Sequence, residues 1–119
     1  MDREVLFYKT ADQKCLIAEF LDWLPSKAAQ KVAWTLSLLE DLDVIPAHYF
    51  CKMQGTDDLW ECRVNSGSNS YRIFAFWDRS KIVLTHGFVK KSQKTPLGEI
   101  EKAEKFKKDY FTRKGGDSS

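Results

Sequence analysis

At 119 residues, with 43% hydrophobic and 13% aromatic content, the chain can bury a core. The simplest division is one domain over residues 1–114 with residues 115–119, GGDSS, as a flexible tail. No run approaches the roughly 18 apolar residues of a spanning helix, and Met1-Asp2-Arg3-Glu4 lacks the apolar segment of a secretory signal, so no membrane partner and a cytoplasmic address are expected. The net charge of +2 conceals an asymmetry: residues 1–85 carry 10 Lys/Arg against 12 Asp/Glu, and residues 86–114 carry 9 against 4. Such a local excess suits a face that binds a polyanion, although a lysine-rich helix can equally be a solvated one.

Val5–Lys9 reads as a short edge strand. Thr10-Ala11-Asp12-Gln13 fits a capping box, which predicts a helix from Thr10 with Leu16, Ile17, Phe20, Leu21 and Leu24 on its apolar stripe. Pro25-Ser26 interrupts that stripe, and Ser26 is the expected N-cap of a second helix carrying Ala28, Val32, Ala33, Leu36 and Leu39. Trp23 and Trp34 are expected to pack at the ends of this helix pair. A strand within His48–Gln54 contains Lys52, and Gly55-Thr56-Asp57-Asp58 then turns the chain.

Leu59–Val64, Tyr71–Trp77 and Lys81–Val89 alternate as strands, joined by the polar turn Asn65–Ser70 and the short link Asp78–Lys81. They predict a three-strand antiparallel meander. Alternation puts Glu61 and Arg63 on one face of the first strand and Arg72, Phe74 and Phe76 on one face of the second. Glu61 can pair with either arginine as a surface ion pair, or the arginines can face a ligand. Thr95 as N-cap and Pro96 at the first helical position open a last helix with Leu97, Ile100, Ala103, Phe106 and Tyr110 on its stripe. The expected fold class is α+β, in the order β-α-α-β-β-β-β-α.

Cys15, Cys51 and Cys62 are odd in number and form no C-x-x-C pair, and His48 and His86 have no metal-ligand spacing, so reduced thiols, no metal and no cofactor are expected. Lys90, Lys91 and Lys94 lie in a loop between a strand end and a helix start, where ammonium groups and free N–H groups can hold a phosphate. No GxxxxGK[ST] stands beside it, which points to a phosphodiester backbone instead of a nucleoside triphosphate. Cleavage of RNA there needs no metal: the 2′-OH attacks phosphorus while arginine forks such as Arg63 and Arg72 hold the charged oxygens. A lysine crowded by other cations could act as the base, and His86 is the other acid/base candidate, with a structural role as its alternative.

The element order, together with LWECR at 59–63, SYRIF at 70–74, IVLTHGFVKKSQKTP at 82–96 and EIEKAEKFKKDY at 99–110, resembles the phage-derived Gp49-like branch of the RelE/HigB toxin superfamily. The resemblance covers about residues 5–113. It implies a RelE/ParE-like fold and a toxin of a type II toxin–antitoxin module. The implied activity is that of an endoribonuclease, an mRNA interferase cutting messenger RNA on the ribosome and inhibiting translation. The implied partners are the ribosome, messenger RNA and a cognate antitoxin, usually a helix-turn-helix protein. By position, Arg72 corresponds to the arginine at the scissile phosphate, Arg63 to the arginine of the LWE-x-R motif, and Lys90 or Lys91 to the basic residue ending the last strand. The implied catalytic set is Arg63, Arg72, His86, Lys90, Lys91 and Lys94, and the RNA-binding set is Lys52, Lys90, Lys91 and Lys94. Where better-understood relatives carry a lysine this chain has Glu61, and where they carry a base-stacking aromatic it has Thr95-Pro96-Leu97. The same resemblance leaves open a ParE-like gyrase poison, and outside that class stands a catalytically inert nucleic-acid-binding module of phage origin.

Overall fold

The computed structural model describes residues 3–91 and 94–117. The elements are β1 (Glu4–Phe7), α1 (Leu16–Trp23), α2 (Ser26–Asp41), β2 (Phe50–Lys52), β3 (Trp60–Ser66), β4 (Asn69–Asp78), β5 (Lys81–Lys90) and α3 (Leu97–Asp117). They form one five-stranded sheet in the order β1-β5-β4-β3-β2, with β1 parallel to β5 and every other pairing antiparallel. The order βααββββα is the expected one, and β1 is an edge strand. Among the described residues no helix is long and apolar enough to cross a membrane.

Period-two alternation gives the sheet two apolar faces. Cys62, Val64, Tyr71, Ile73, Ala75, Ile82 and Leu84 pack against Ile17, Phe20, Leu24, Ala28, Val32 and Leu39 of the α1–α2 pair. Leu59, Phe74, Phe76 and Val83 pack on the other side with Ala103, Ile100, Phe106 and Tyr110 of α3. Polar clamps fix α3 in place. Tyr110 Oη donates to Asp78 Oδ2 at 2.7 Å, beside the ion pair of Lys114 with Asp78, and the Arg113 guanidinium lies 5.6 Å from the centre of the Tyr8 ring.

A bulge decides which side chains of β5 reach α3. The register steps by one between Ile73↔Gly87 and Ala75↔Leu84, so Phe74 faces two residues, Thr85 and His86. Strict alternation from Val83 would send His86, Phe88 and Lys90 to the helix-pair side. The extra residue turns them toward α3, and it carries Lys90 onto the face that holds Arg72.

Several helix starts differ from expectation. Thr10 does not cap a helix: its hydroxyl accepts from the Lys14 N–H at 3.0 Å, Thr10 N–H donates to Lys14 O at 2.9 Å, and Gln13 has φ 68°. This closed loop delays α1 to Leu16. Pro25, not Ser26, sits at the N-cap of α2, with no side-chain cap. At α3 the Pro96 carbonyl accepts from Glu99 N–H at 3.1 Å, so the helix begins at Leu97, one residue later than expected. It runs on to Asp117, into the stretch expected as a tail; Ser118 and Ser119 lie outside the described residues. Trp23 and Trp34 are 66% and 51% exposed and pack only in part, against Phe20 and Tyr49 with ring centres 6.2 and 5.9 Å away.

Candidate nucleic-acid interface

The candidate site lies where β3, β4 and β5 pass the N-terminal end of α3. Arg63 and Arg72 are direct partners across β3 and β4, and Ser70 pairs with Lys90 across β4 and β5. Like charges directly opposed on a sheet repel. A carboxylate two residues before Arg63 answers this, since i and i+2 share a face. Glu61 Oε1 accepts from Arg63 Nε at 2.7 Å and lies 3.6 Å from Arg72 Nε.

The three differ sharply in exposure. The Glu61 side chain is 5% exposed, that of Arg72 13% and that of Arg63 41%. Glu61 therefore forms no surface pair, and Arg72 is not the surface group its place in SYRIF suggests. Arg72 Nη1 donates to Tyr71 O at 3.1 Å, while its Nε is buried without a hydrogen bond. Burial lowers the Arg72 pKa, with Glu61 opposing that and Arg63 adding to it. The Arg63 pKa is raised, chiefly by its hydrogen bond to Glu61.

Two open depressions meet at Lys90. One, of about 330 Å³, is lined by Lys52, Glu61, Arg63, Lys90, Lys94 and Thr95. The other, of about 660 Å³, is lined by Ser68, Ser70, Arg72, Lys90 and Lys91. Five of the six residues given a catalytic role in the sequence reading thus collect here: Arg63, Arg72, Lys90, Lys91 and Lys94. Lys52 is an outer member, paired with Asp58 at 3.4 Å with both side chains more than half exposed. Ser92 and Gln93 of the basic loop lie outside the described residues.

His86 is not brought to the groove. It is buried between Phe74 and Phe106, with ring centres 5.0 and 5.8 Å away. Burial pushes its pKa down to about 4, with Lys102 adding to the effect. Nδ1 lies 3.1 Å from Thr85 Oγ1 and Nε2 lies 3.5 Å from Glu99 Oε1, too far and too poorly aligned to bond. The ring sits in the core under α3.

Burial also pushes the Cys62 thiol up to about 12, and none of the three cysteines forms a disulfide. Among the described residues no three His, Cys, Asp or Glu side chains cluster as metal ligands. Glu61 is the site residue whose role the sequence understated; its signal was the E-x-R spacing within one strand.

The profile of the family described as phage-derived protein Gp49-like (DUF891) matches residues 19–108. The chain belongs to this family. Gp49-like proteins form part of the RelE/HigB-like toxin superfamily. No curated protein matches the chain significantly. The matched span of this Gp49-like chain holds β2 to β5 and the start of α3, and so contains every residue of the groove.

Proposed function

We propose that this Gp49-like protein is the toxin of a type II toxin–antitoxin module and cleaves messenger RNA on the ribosome without a metal. The observation that carries the reading is the convergence of Arg63, Arg72, Lys90, Lys91 and Lys94 from three strands and a loop, with Glu61 as the carboxylate among them. In this reading the Nη edge of Arg63 and the exposed part of Arg72 hold the non-bridging oxygens of one phosphodiester. They stabilise the charge that grows in the phosphorane, where fixed donors are most effective. Lys90, which lines both depressions, and Lys94, beside Arg63, are the amines given the proton transfers. One takes the proton of the attacking 2′-OH, and the ammonium of the other gives a proton to the leaving 5′-oxygen. The P–O5′ bond breaks, leaving a 2′,3′-cyclic phosphate and a 5′-OH. An antitoxin would silence the protein by covering this cationic face.

A second reading has one observation in its favour: Glu61 holds both arginines in the free protein, as it would in a nucleic-acid-binding module that does not cut. The two separate in a reaction with purified protein and ribosomes programmed with a defined message. Cleavage is expected to yield 5′-OH ends and to stop when the nucleotide before the cut carries 2′-deoxyribose. Bound but uncut RNA would sustain the second reading instead.

A further inference from the structure

Resting on the nuclease reading, we infer that Glu61 is a positioning residue that turns the guanidinium of Arg63, and with it Arg72, so that their outer edges face one phosphate.

Arg63 offers Glu61 its inner edge only. The bond runs from Nε to Oε1 at 2.7 Å, and the side chain is otherwise 41% exposed on the groove wall, so Nη1 and Nη2 remain for a ligand. A guanidinium fixed at Nε presents its remaining donors as a planar fork, the shape that matches two phosphate oxygens. Arg72 is steered by the same oxygen at 3.6 Å and by Tyr71 O at 3.1 Å. Without the carboxylate the two guanidinium groups, opposed across β3 and β4, would push apart. Glu61 Oε1 is already taken up by Arg63 Nε on a side chain 5% exposed, which suits an orienting partner better than a base.

Positioning differs from the alternatives in its signs. Removing a negative charge from a cationic groove helps RNA to bind, whereas losing the orientation of the forks slows the chemical step. The samples compared are ¹⁵N-labelled wild type, Glu61→Gln, Glu61→Ala and Glu61→Leu. A short fluorescein-labelled single-stranded RNA reports binding, ribosomes on a defined message report cleavage, and the Arg63 Nε–H resonance reports the bond. The Gln amide oxygen still accepts from Nε, so Glu61→Gln is expected to keep the protected resonance and to cleave within about threefold of wild type. Glu61→Ala is expected to lose the resonance, bind RNA at least as tightly, and cleave with kcat down about a hundredfold at an unchanged KM. Glu61→Leu, which fills similar space but accepts no hydrogen bond, is expected to behave like Glu61→Ala, and it decides the matter should Glu61→Ala not fold.

Equal losses in Glu61→Gln and Glu61→Ala would overturn the inference in favour of a charge or proton role. Wild-type cleavage by Glu61→Ala, or weakened binding together with slowed cleavage, would overturn it too. Wild type that binds but never cleaves would sink the nuclease reading alone. The inference then stands or falls on whether inorganic phosphate shifts the Arg63 side-chain resonances in wild type and Glu61→Gln but not in Glu61→Ala.

Discussion

Arg72 belongs to the packing of the sheet as well as to the proposed site. With its side chain 13% exposed beside a carboxylate 5% exposed, its loss would leave Glu61 with Arg63 alone in a half-dry setting. Arg72→Ala is expected to cost about 1–3 kcal/mol and to lower Tm by several degrees, whereas Lys91→Ala, on the exposed rim, should stay within about 0.5 kcal/mol. Thermal melts of the two variants check this. It follows that lost toxicity in Arg72→Ala alone does not locate a catalytic role, and that the rim lysines are the cleaner probes. His86 gives the molecule a pH dependence of known sign. Its native pKa of about 4 lies below the ordinary 6.5, so on acidification the unfolded chain takes up a proton that the native ring refuses. The stabilisation is complete above pH 6.5 and drains away between 6.5 and 4, by roughly 3 kcal/mol at most. Urea titrations across that range should show the fall, and His86→Leu should flatten it.

Among the elements, β5 links core to site. Gly87 faces α1, and a Cβ there would lie 2.6 Å from two carbons of the Phe20 ring and 2.9 Å from a third. Gly87→Ala is expected to cost about 1–3 kcal/mol as Phe20 is forced aside. Adding Phe20→Leu should recover part of the loss, a coupling that a double-mutant cycle in urea would measure. The same strand shows where sequence reading stops. Alternation in LWECRV and SYRIF separated the two faces of each strand, because each is a regular two-residue repeat, and it put Glu61 with Arg63 in β3 and Arg72 with Phe74 and Phe76 in β4. The bulge at Thr85-His86 left no comparable trace, since an extra residue becomes visible only in the pairing with Phe74. The closed turn at Thr10–Lys14 imitated a capping box because threonine hydroxyls satisfy loop N–H groups as readily as helical ones. The parallel pairing of β1 with β5 joins segments far apart in sequence, so no local pattern could announce it.

Across the whole molecule, charge and fold agree. The C-terminal third supplies most of the excess lysine, and the sheet gathers part of it with two arginines from the middle of the chain around two depressions that meet at Lys90. That convergence was legible from strand parity and the KKSQK loop. The burial of Arg72 and the sharing of one carboxylate were not, because both depend on the register that sets Arg63 opposite Arg72 with Glu61 beside them. Membership of the Gp49-like family agrees with a toxin built on this sheet. The central claim, that the groove cuts messenger RNA, is tested most directly by inducing wild type and the Lys90→Gln/Lys91→Gln double variant in cells and mapping message ends by primer extension. Lys91 is exposed and Lys90 only half-buried, so the variant should fold. New 5′ ends within coding sequence, appearing soon after induction of wild type and absent with the variant, are the predicted result. Growth arrest with intact messages, or an unchanged set of cuts in the folded double variant, would contradict it.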